Sequence, residues 1–302
     1  MFNRRTFLAT ALAGGLAAVA AQPVQAEWQD DLKVVKFGIV SLENQGDALT
    51  RYEGLVQTME NQLGVEKVEL FLANDYAGVV QALSAGQIHL ALVGASAYAS
   101  AYLDCNCVEP LAAVEGVNGD LGYYSVLFVR SDSPYQGLEE LKGHSLAFGD
   151  PDSTSGYLVP LVSLRKAGID PEQYFSTTAF SGGHEQSVLG VLKGTYESAF
   201  TWTSEGDRFG NIRTMVDKGM LKREDIRVIW KSDLIANPPI VARTDLPGDM
   251  KQDLQQFFTS LQGADLEAAA QGEAKRFVPV DHTLYDPIVQ ARIELKKARK
   301  GQ

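Results

Sequence analysis

The chain has 302 residues and a formal net charge of −11, and 45% of its residues are hydrophobic. This composition is typical of a soluble globular protein, and the length allows one large domain or two lobes of about 100–150 residues each. An acidic body argues against nucleic acid and anionic membranes as partners. It does not argue against a small anion, because local donors and dipoles decide whether an anion binds.

Residues 1–26 have the pattern of an export signal. Arg4 and Arg5 precede an apolar run at 7–21, and small residues lie just before Glu27. The apolar run is too short for a stable membrane span. The alternative is an N-terminal helix of a cytosolic protein. Removing residues 1–26 removes two positive charges and no acidic ones, which takes the net charge from −11 to −13.

The export route stays open. Residues 3–8, NRRTFL, resemble a twin-arginine signal, but Asn3 and Ala9 depart from the commonest residues of that motif. The Sec route is therefore the alternative. No cysteine follows the apolar run, so the sequence does not indicate a lipoprotein anchor, and no later segment is apolar enough to cross a bilayer. We expect a periplasmic protein that is soluble once the signal is removed.

After the signal, apolar runs alternate with helical patterns. The order strand–helix, three times over, is typical of a parallel, doubly wound sheet. Asp75 is placed to cap the second of these helices. The predicted elements are strands at 34–40, 68–72 and 88–93 and helices at 49–63, 76–85 and 95–103.

The second half repeats the class of pattern without repeating the sequence. We therefore predict an α/β protein with the two doubly wound lobes that this repetition suggests and a cleft between them, where the carboxyl ends of strands meet. Lobe one is 27–122 plus 233–302 and lobe two is 123–232, because the last helices should pack back on lobe one. The predicted elements are strands at 124–129, 145–148, 177–180, 197–202, 226–230 and 240–242 and helices at 138–141, 153–166, 184–193, 207–218, 250–261, 265–274 and 286–298.

Three consecutive hydroxyl residues, Ser153, Thr154 and Ser155, open a predicted helix directly after a strand and an Asp-Pro turn. A helix N-terminus presents unpaired N–H groups and a partial positive charge, and the hydroxyls add O–H donors. Together they predict a site for a phosphate-like group that needs no lysine or arginine. The alternative is ordinary capping by one serine, which explains one hydroxyl but not three.

Other helix starts could complete such a site. His184 follows two glycines after a strand, and Tyr76 lies beside the Asp75 cap. Trp202 and Glu205 lie at the carboxyl end of another strand, and a carboxylate there suits a ligand that also carries a cation. The alternatives are a structural histidine, a core tyrosine and an exposed capping glutamate.

An enzyme is the competing class. Ser153, His184 and Glu205 could be drawn as a hydrolase triad, but no Gly-x-Ser-x-Gly elbow and no nucleotide-binding loop are present. The histidines lack metal-ligand spacing, so we expect no metal and no cofactor. Cys105 and Cys107 are either two thiols or a surface bridge, and one Cys-x-Cys is weak evidence for zinc.

Five segments resemble the PhnD-like, phosphonate-binding family of ABC importer subunits, and the similarity covers essentially the whole mature chain. The order of the segments agrees as well. They are DYAGVVQ at 75–81, GYYSVL at 122–127, GDPDSTSGYLVP at 149–160, GHE at 183–185 and VIWKS at 228–232. The resemblance implies a type II periplasmic-binding fold, two lobes joined by two crossovers, and membrane permease and ATPase subunits as partners.

The resemblance also implies roles for individual residues. The family's oxyanion contacts fall on Ser153, Thr154 and Ser155, with Tyr76 and His184 completing the cage. In members that bind 2-aminoethylphosphonate, a carboxylate meets the amine, and Glu205 matches it.

Two positions depart from those members. Val93 stands where they have tyrosine, and Pro238 stands where they have an acid. Trp202 could compensate by a cation–π contact. The expected ligand is 2-aminoethylphosphonate, with phosphite or methylphosphonate as the alternative.

Export is directly testable. We predict that the mature protein begins near Glu27, because the small residues before it suit a signal peptidase. N-terminal sequencing of the secreted protein checks this, and recovery of an intact Met1 would contradict it.

Overall fold

The computed structural model describes residues 27–40 and 45–300, so the predicted export signal lies outside the described residues. The chain forms two β-sheets flanked by helices. The helices are α1 Trp28–Asp31, α2 Gln45–Leu63, α3 Tyr76–Ser84, α4 Ala95–Cys105, α5 Val159–Lys166, α6 Pro171–Tyr174, α7 His184–Leu192, α8 Asn211–Asp217, α9 Gly248–Ser260, α10 Gly263–Ala270 and α11 Asp286–Lys300. No helix in this part of the chain has both the length and the apolar character that a membrane span requires.

The first sheet has six strands in the order β12-β4-β11-β3-β1-β2. β1 pairs in parallel with β2 and β3, as predicted, whereas β11, β4 and β12 add antiparallel strands. The strands are β1 Val34–Val40, β2 Lys67–Ala73, β3 Leu90–Leu92, β4 Val108–Glu115, β11 Pro239–Arg243 and β12 Arg276–Pro279.

The second sheet is built around β5, which pairs antiparallel with β8, β9 and β10, and β8 is followed by β6 and β7. Its strands are β5 Gly122–Arg130, β6 Ser145–Phe148, β7 Thr177–Phe180, β8 Ser198–Thr203, β9 Ile226–Lys231 and β10 Ile235–Ala236. The chain therefore passes between the sheets twice, once after β4 and once after β10. Because β10 belongs to the second sheet, the second crossing lies beyond Ser232.

Strand β4 is absent from the predicted elements, and it contains Pro110, which cannot donate a hydrogen bond to a neighbouring strand. The structure places Pro110 at a bulge. Val241 pairs with Pro110 and Ile240 with Ala112, so the register shifts by one residue at this point. A bulge is one of the places in a sheet where proline is tolerated.

Both faces of the first sheet are covered by apolar side chains. One core lies under α2, α9 and α10 and contains Phe37 and Phe258, whose rings meet edge to face at 5.9 Å. The other core involves α3, α4 and the start of α11. Helices α9 and α10 thus pack on the first sheet, as expected for the C-terminal segment.

Helix α11 differs from that expectation, because it contributes to both lobes. Val289 lies in the core that contains α3 and α4, whereas Leu295 lies in a core of the second sheet with Phe148 and Phe200. The last helix therefore bridges the lobes in addition to the two strand crossings.

Candidate functional site

A cavity of about 130 Å³ lies between the two sheets. Six of the seven predicted site residues line it: Tyr76, Ser153, Thr154, Ser155, His184 and Trp202. None of the described residues that line it is a lysine or an arginine. An anion in this cavity would have to be held by neutral N–H and O–H donors.

The three hydroxyl residues open a π-helical turn, Thr154–Leu158, that continues into α5. The preceding loop is fixed by Asp150, whose carboxylate accepts from the Asp152 amide at 2.7 Å and whose carbonyl accepts from the Ser153 amide at 3.0 Å. The Ser153 hydroxyl then caps the turn by accepting from the Gly156 amide at 3.0 Å. Capping by one serine, the ordinary alternative, is therefore present, but it occupies only the first of the three hydroxyls.

Gly156 allows this turn to approach the neighbouring helix. A Cβ atom there would lie 2.8 Å from the Ser153 hydroxyl and 3.2 Å from Cε1 of His184. Any larger residue would push apart the two side chains that the cavity brings together. The glycine in the Ser-Thr-Ser-Gly run is therefore a packing requirement.

Thr154 joins the two lobes. Its hydroxyl oxygen accepts a hydrogen bond of 2.8 Å from the amide of Ser96, at the N-terminus of α4 in the first lobe. The Thr154 hydroxyl also lies close to the backbone of Gly94, because a Cβ atom on Gly94 would lie only 2.9 Å from the hydroxyl oxygen. A hydroxyl that accepts from one side still has its proton to donate to the other.

Two buried phenols face the hydroxyls. Burial raises the pKa of Tyr76, and the neighbouring Ser153 side chain acts in the opposite direction. Burial likewise raises the pKa of Tyr123, against the effect of the Ser155 and Thr154 side chains. A tyrosine is already neutral at physiological pH, and these shifts keep it so, which leaves each phenol an O–H group that can donate.

Tyr123 was missed in the sequence analysis. It is the second residue of β5, and it is buried whereas its neighbour Tyr124 is half-buried. The signal that could have identified it is the alternation of burial in a strand that starts where the chain enters the second lobe.

His184 is the first residue of α7 and is almost fully buried. Burial lowers its pKa to about 4, so the imidazole is neutral and has one N–H to donate. Nε2 lies 3.4 Å from the Ser153 hydroxyl and Nδ1 lies 3.3 Å from the Thr201 hydroxyl. Gly182, with φ of 96°, makes the turn that brings the histidine to this position.

We call Ser153, Thr154 and Ser155 the cradle. Asp150 adds a titratable group in the loop directly before the cradle. Burial, and then the nearby carboxylate of Asp75, raise its pKa to about 6, while Arg292 acts in the opposite direction. Asp75 caps α3 by accepting from the Gly78 amide at 2.8 Å. The carboxylates of Asp75 and Asp150 thus organise the helix starts beside the cavity.

Trp202 lies in the cavity wall, whereas Glu205 does not. Trp202 meets Phe209 and Tyr123 edge to face, at 5.3 and 6.0 Å. Trp202, Phe209 and Tyr123 all belong to the cavity lining.

Glu205 lies outside the cavity lining, and its side chain is 46% exposed. Hydrogen bonds from Tyr124 and from Lys231, at 3.1 Å, lower the pKa of its carboxyl group. The Lys231 ammonium also stands 3.5 Å above the Tyr124 ring. This geometry does not support the expectation that Glu205 faces the ligand, because the carboxylate already has a cation as partner.

The hydrolase triad drawn from Ser153, His184 and Glu205 lacks its carboxylate, because Glu205 lies outside the cavity lining. Ser153 and His184 are close, but the other imidazole nitrogen meets the Thr201 hydroxyl and not a carboxylate. Within residues 27–40 and 45–300 no cluster of three or more potential metal ligands occurs. Cys105 and Cys107 form a disulfide at the end of α4, which decides between the two states that the sequence left open.

The far end of the cavity is largely apolar. Val93 and Pro238, the two positions that depart from the aminophosphonate binders, both line it. The end of α10 and the residues after it contribute as well, and nothing in the sequence indicated this. The lining there comprises Val93, Val114, Pro238, Ala269 and Ala270, with Ser204, Asn237, Gln271 and Glu273 as polar members.

A family profile described as "ABC transporter, phosphonate, periplasmic substrate-binding protein" matches residues 37–285. The chain is 32% identical over 275 residues to the phosphate-import protein PhnD of Mycolicibacterium smegmatis, covering 85% of this chain and 84% of that one. It is 34% identical over 241 residues to the phosphonates-binding periplasmic protein of Escherichia coli, covering 78% and 68% of the two chains.

Solved structures agree with these relatives. A binding protein component of an ABC phosphonate transporter from Pseudomonas aeruginosa superposes with a TM-score of 0.75 at 30% identity, covering 88% of this chain and 87% of that one. PhnD1 of Prochlorococcus marinus, solved with methylphosphonate, gives 0.73 at 22% identity, covering 88% and 99%, and at that identity it shows the fold alone.

These similarities confirm the type II periplasmic-binding fold. They also confirm the assignment as a binding protein and not an enzyme, because the relatives are substrate-binding components of importers. The chain belongs to the family of periplasmic substrate-binding proteins of phosphonate ABC transporters.

Proposed function

We propose that this protein captures a phosphonate in the cleft between its lobes and delivers it to the permease and ATPase subunits of an ABC importer. The observation that carries the proposal is the cluster of three buried hydroxyls, Ser153, Thr154 and Ser155, at one helix start. Serine and threonine are rarely buried in a row without a partner for their donors. A tetrahedral oxyanion offers several acceptor oxygens to such a cluster.

The neutral groups around the hydroxyls favour the same ligand. Tyr76 and Tyr123 carry O–H donors, and burial keeps His184 neutral with one N–H to donate. A helix start adds amide donors and a partial positive charge, which favour an anion without a fixed cation. Donors from both lobes thus converge on one point.

The location and the partners follow from the family and from the N-terminal pattern. Residues 1–26 have the features of an export signal, and the E. coli relative is a periplasmic protein. The N-terminal pattern and the family are both explained by a periplasmic binding subunit that is soluble after signal removal. Its partners would be a permease and an ATPase.

The organic arm of the ligand would enter the apolar end of the cavity. Val93, Val114 and Pro238 offer no charge to an amine there, and Glu205 is paired with Lys231 outside it. We therefore favour a phosphonate with a short alkyl arm, such as methylphosphonate. Burying one methyl group contributes about 0.8 kcal/mol, or about fourfold in affinity over phosphite.

2-Aminoethylphosphonate is the second candidate, because one carboxylate does line the cavity. Glu273 is an exposed residue of the lining, and Trp202 in the same lining is an aromatic side chain of the kind that binds cations. An ammonium group would therefore meet Glu273 and Trp202 and not Glu205.

The oxyanion cradle is tested by replacing Thr154 with valine. We expect the affinity for methylphosphonate and phosphate to fall about ten- to a hundredfold, because a buried anion loses one donor, worth roughly 1.5–3 kcal/mol. Calorimetric titration measures this. Thr154→Ser keeps the hydroxyl and is the matched control, and equal affinities for the valine variant and the unmodified protein would count against the cradle.

The neutral state of His184 has a consequence for stability. The pKa of His184 is about 4 when folded and about 6.5 when unfolded, so the unfolded chain takes up a proton first as the pH falls. We expect the contribution of His184 to be complete above pH 6.5 and to fall by about 3 kcal/mol by pH 4. Urea unfolding across this range measures it, with His184→Gln as the reference. Parallel pH profiles for the two proteins would refute the assignment.

The ligand's arm is tested with two carboxylate variants. We expect the unmodified protein to prefer methylphosphonate over 2-aminoethylphosphonate, phosphite and phosphate in calorimetric titration. Glu205→Gln should leave all four affinities unchanged, because Glu205 lies outside the cavity lining.

The second candidate is supported instead if 2-aminoethylphosphonate binds most tightly and Glu273→Gln weakens only that ligand. A selective loss of 2-aminoethylphosphonate binding in Glu205→Gln would show that Glu205 reaches the ligand after all.

A further inference from the structure

Arg292 lies on α11, remote in sequence from the cavity, yet it is one of the few buried charged residues in the described part of the chain, at 7% exposure. Nε donates to the Ser100 hydroxyl at 2.9 Å, Nη1 donates to the Pro151 carbonyl at 2.8 Å, and Nη2 pairs with the Asp152 carboxylate. Ser100 in turn donates to Asp152 at 2.7 Å. The network therefore joins α11, α4 and the loop that precedes the three hydroxyls.

We propose that Arg292 is a positioning residue for the anion site, which acts through Asp152 to hold the loop at 150–152 against α4. The proposal rests on the proposed function for the identity of the ligand. It assigns to α11 a role in binding that the lining of the cavity does not reveal.

The link from Asp152 to the cradle is short. The Asp152 amide donates to the Asp150 carboxylate, and the next amide, that of Ser153, donates to the Asp150 carbonyl. The Ser153 hydroxyl caps the π-helical turn. A displacement of Asp152 would therefore move the first donor of the cradle directly.

Helix α4 meets the same segment at two points. The Ser96 amide donates to Thr154, and the Ser100 hydroxyl, one helical turn later on the same face, donates to Asp152. The first contact involves a cradle residue and would change if the lobes separated. The contact between Ser100 and Asp152 is stabilised by Arg292, so it keeps the loop in contact with the first lobe.

A positively charged donor suits the contact between Ser100 and Asp152 best. The Asp152 side chain is 16% exposed, and a buried carboxylate without a cation is strongly disfavoured. Arginine can also serve Ser100, Asp152 and the Pro151 carbonyl at once, because its donors form a planar fork.

The adjacent turn of α11 provides a matched control. Lys296 pairs with Asp104 at 2.8 Å, so it joins α11 to α4 as Arg292 does, but it does not touch the loop, and both side chains are nearly half exposed. A purely structural role for contacts between these helices would be shared by both pairs.

The test compares Arg292→Gln with Lys296→Gln by calorimetric titration with methylphosphonate and by stopped-flow measurement of dissociation. We expect Arg292→Gln to weaken binding about tenfold or more, mainly through faster dissociation, and Lys296→Gln to change it less than about twofold. Arg292→Gln combined with Asp152→Asn should recover part of the loss, because no charge is then left unpaired.

Two further measurements separate positioning from general destabilisation. Hydrogen exchange at the Gly156 and Leu158 amides, which bond to Ser153, should be faster in Arg292→Gln and unchanged in Lys296→Gln. Leu254→Ala, a core change in α9, should lower the unfolding temperature without this effect. Wild-type affinity and exchange in Arg292→Gln, or equal weakening in Leu254→Ala, would overturn the proposal.

Two outcomes need a separate readout. If Arg292→Gln does not fold, Ser100→Ala removes the two bonds that the Ser100 hydroxyl makes with Arg292 and Asp152 and leaves both charges, and it should weaken binding about threefold. Unchanged binding in that variant would also overturn the proposal. If the unmodified protein binds no phosphonate or phosphate, the proposed function fails, and the exchange data alone decide the role of Arg292.

Discussion

The hydrogen bond from the Ser96 amide to the Thr154 hydroxyl joins the two lobes beside the hydroxyl side chains that line the cavity. It places the N-terminus of one helix behind the hydroxyl that opens another. The first amides of a helix have no acceptor within the helix. A threonine hydroxyl that accepts a hydrogen bond from one of them can still donate its own proton to another group. The same close approach requires glycine at position 94, and it brings cavity-lining residues of the two lobes together.

The proposed anion site has no lysine or arginine in its described lining and relies on neutral donors. The phenols of Tyr76 and Tyr123 are protonated at physiological pH in any case, and burial keeps His184 neutral because it disfavours the imidazolium. The same burial makes any misplaced donor costly, since an unpaired polar group loses its water. The donors must therefore be fixed by their own neighbours, and the bonds through Asp150, Thr201 and Gly156 do this.

The sequence predicted those parts of the site that depend on local structure. Ser153, Thr154 and Ser155 follow a strand and a turn, and a helix start after a strand is recognisable from a few residues. Glu205 follows a strand in the same way, but Gly206, with φ of 70°, turns the chain there, and Lys231 from another strand takes the carboxylate. The partner lies 26 residues away, so no local pattern indicated it.

The remaining differences also arise from long-range contacts. Pro110 is tolerated in its strand because it lies at a bulge of β4, where Leu111 has no paired residue in β11, and only the pairing with the neighbouring strand shows this. Tyr123 and the end of α10 reach the cavity because the chain crosses between the sheets and returns. The lobe boundaries remain a prediction, although the pairing of β10 with β5 extends the second sheet to Ala236.

The two ends of the cavity therefore have different origins. The oxyanion end is built largely from consecutive residues whose geometry a short motif determines, which suits relatives that import phosphate and that bind phosphonates. The far end is assembled from β3, β4, α10 and the second crossing, and single substitutions there change its polarity without disturbing a hydrogen-bond network. Val93 and Pro238 are such positions, since neither side chain donates or accepts a hydrogen bond. In the proposed function the cradle therefore binds the oxyanion, while the side chains of the far end select the arm that the ligand carries.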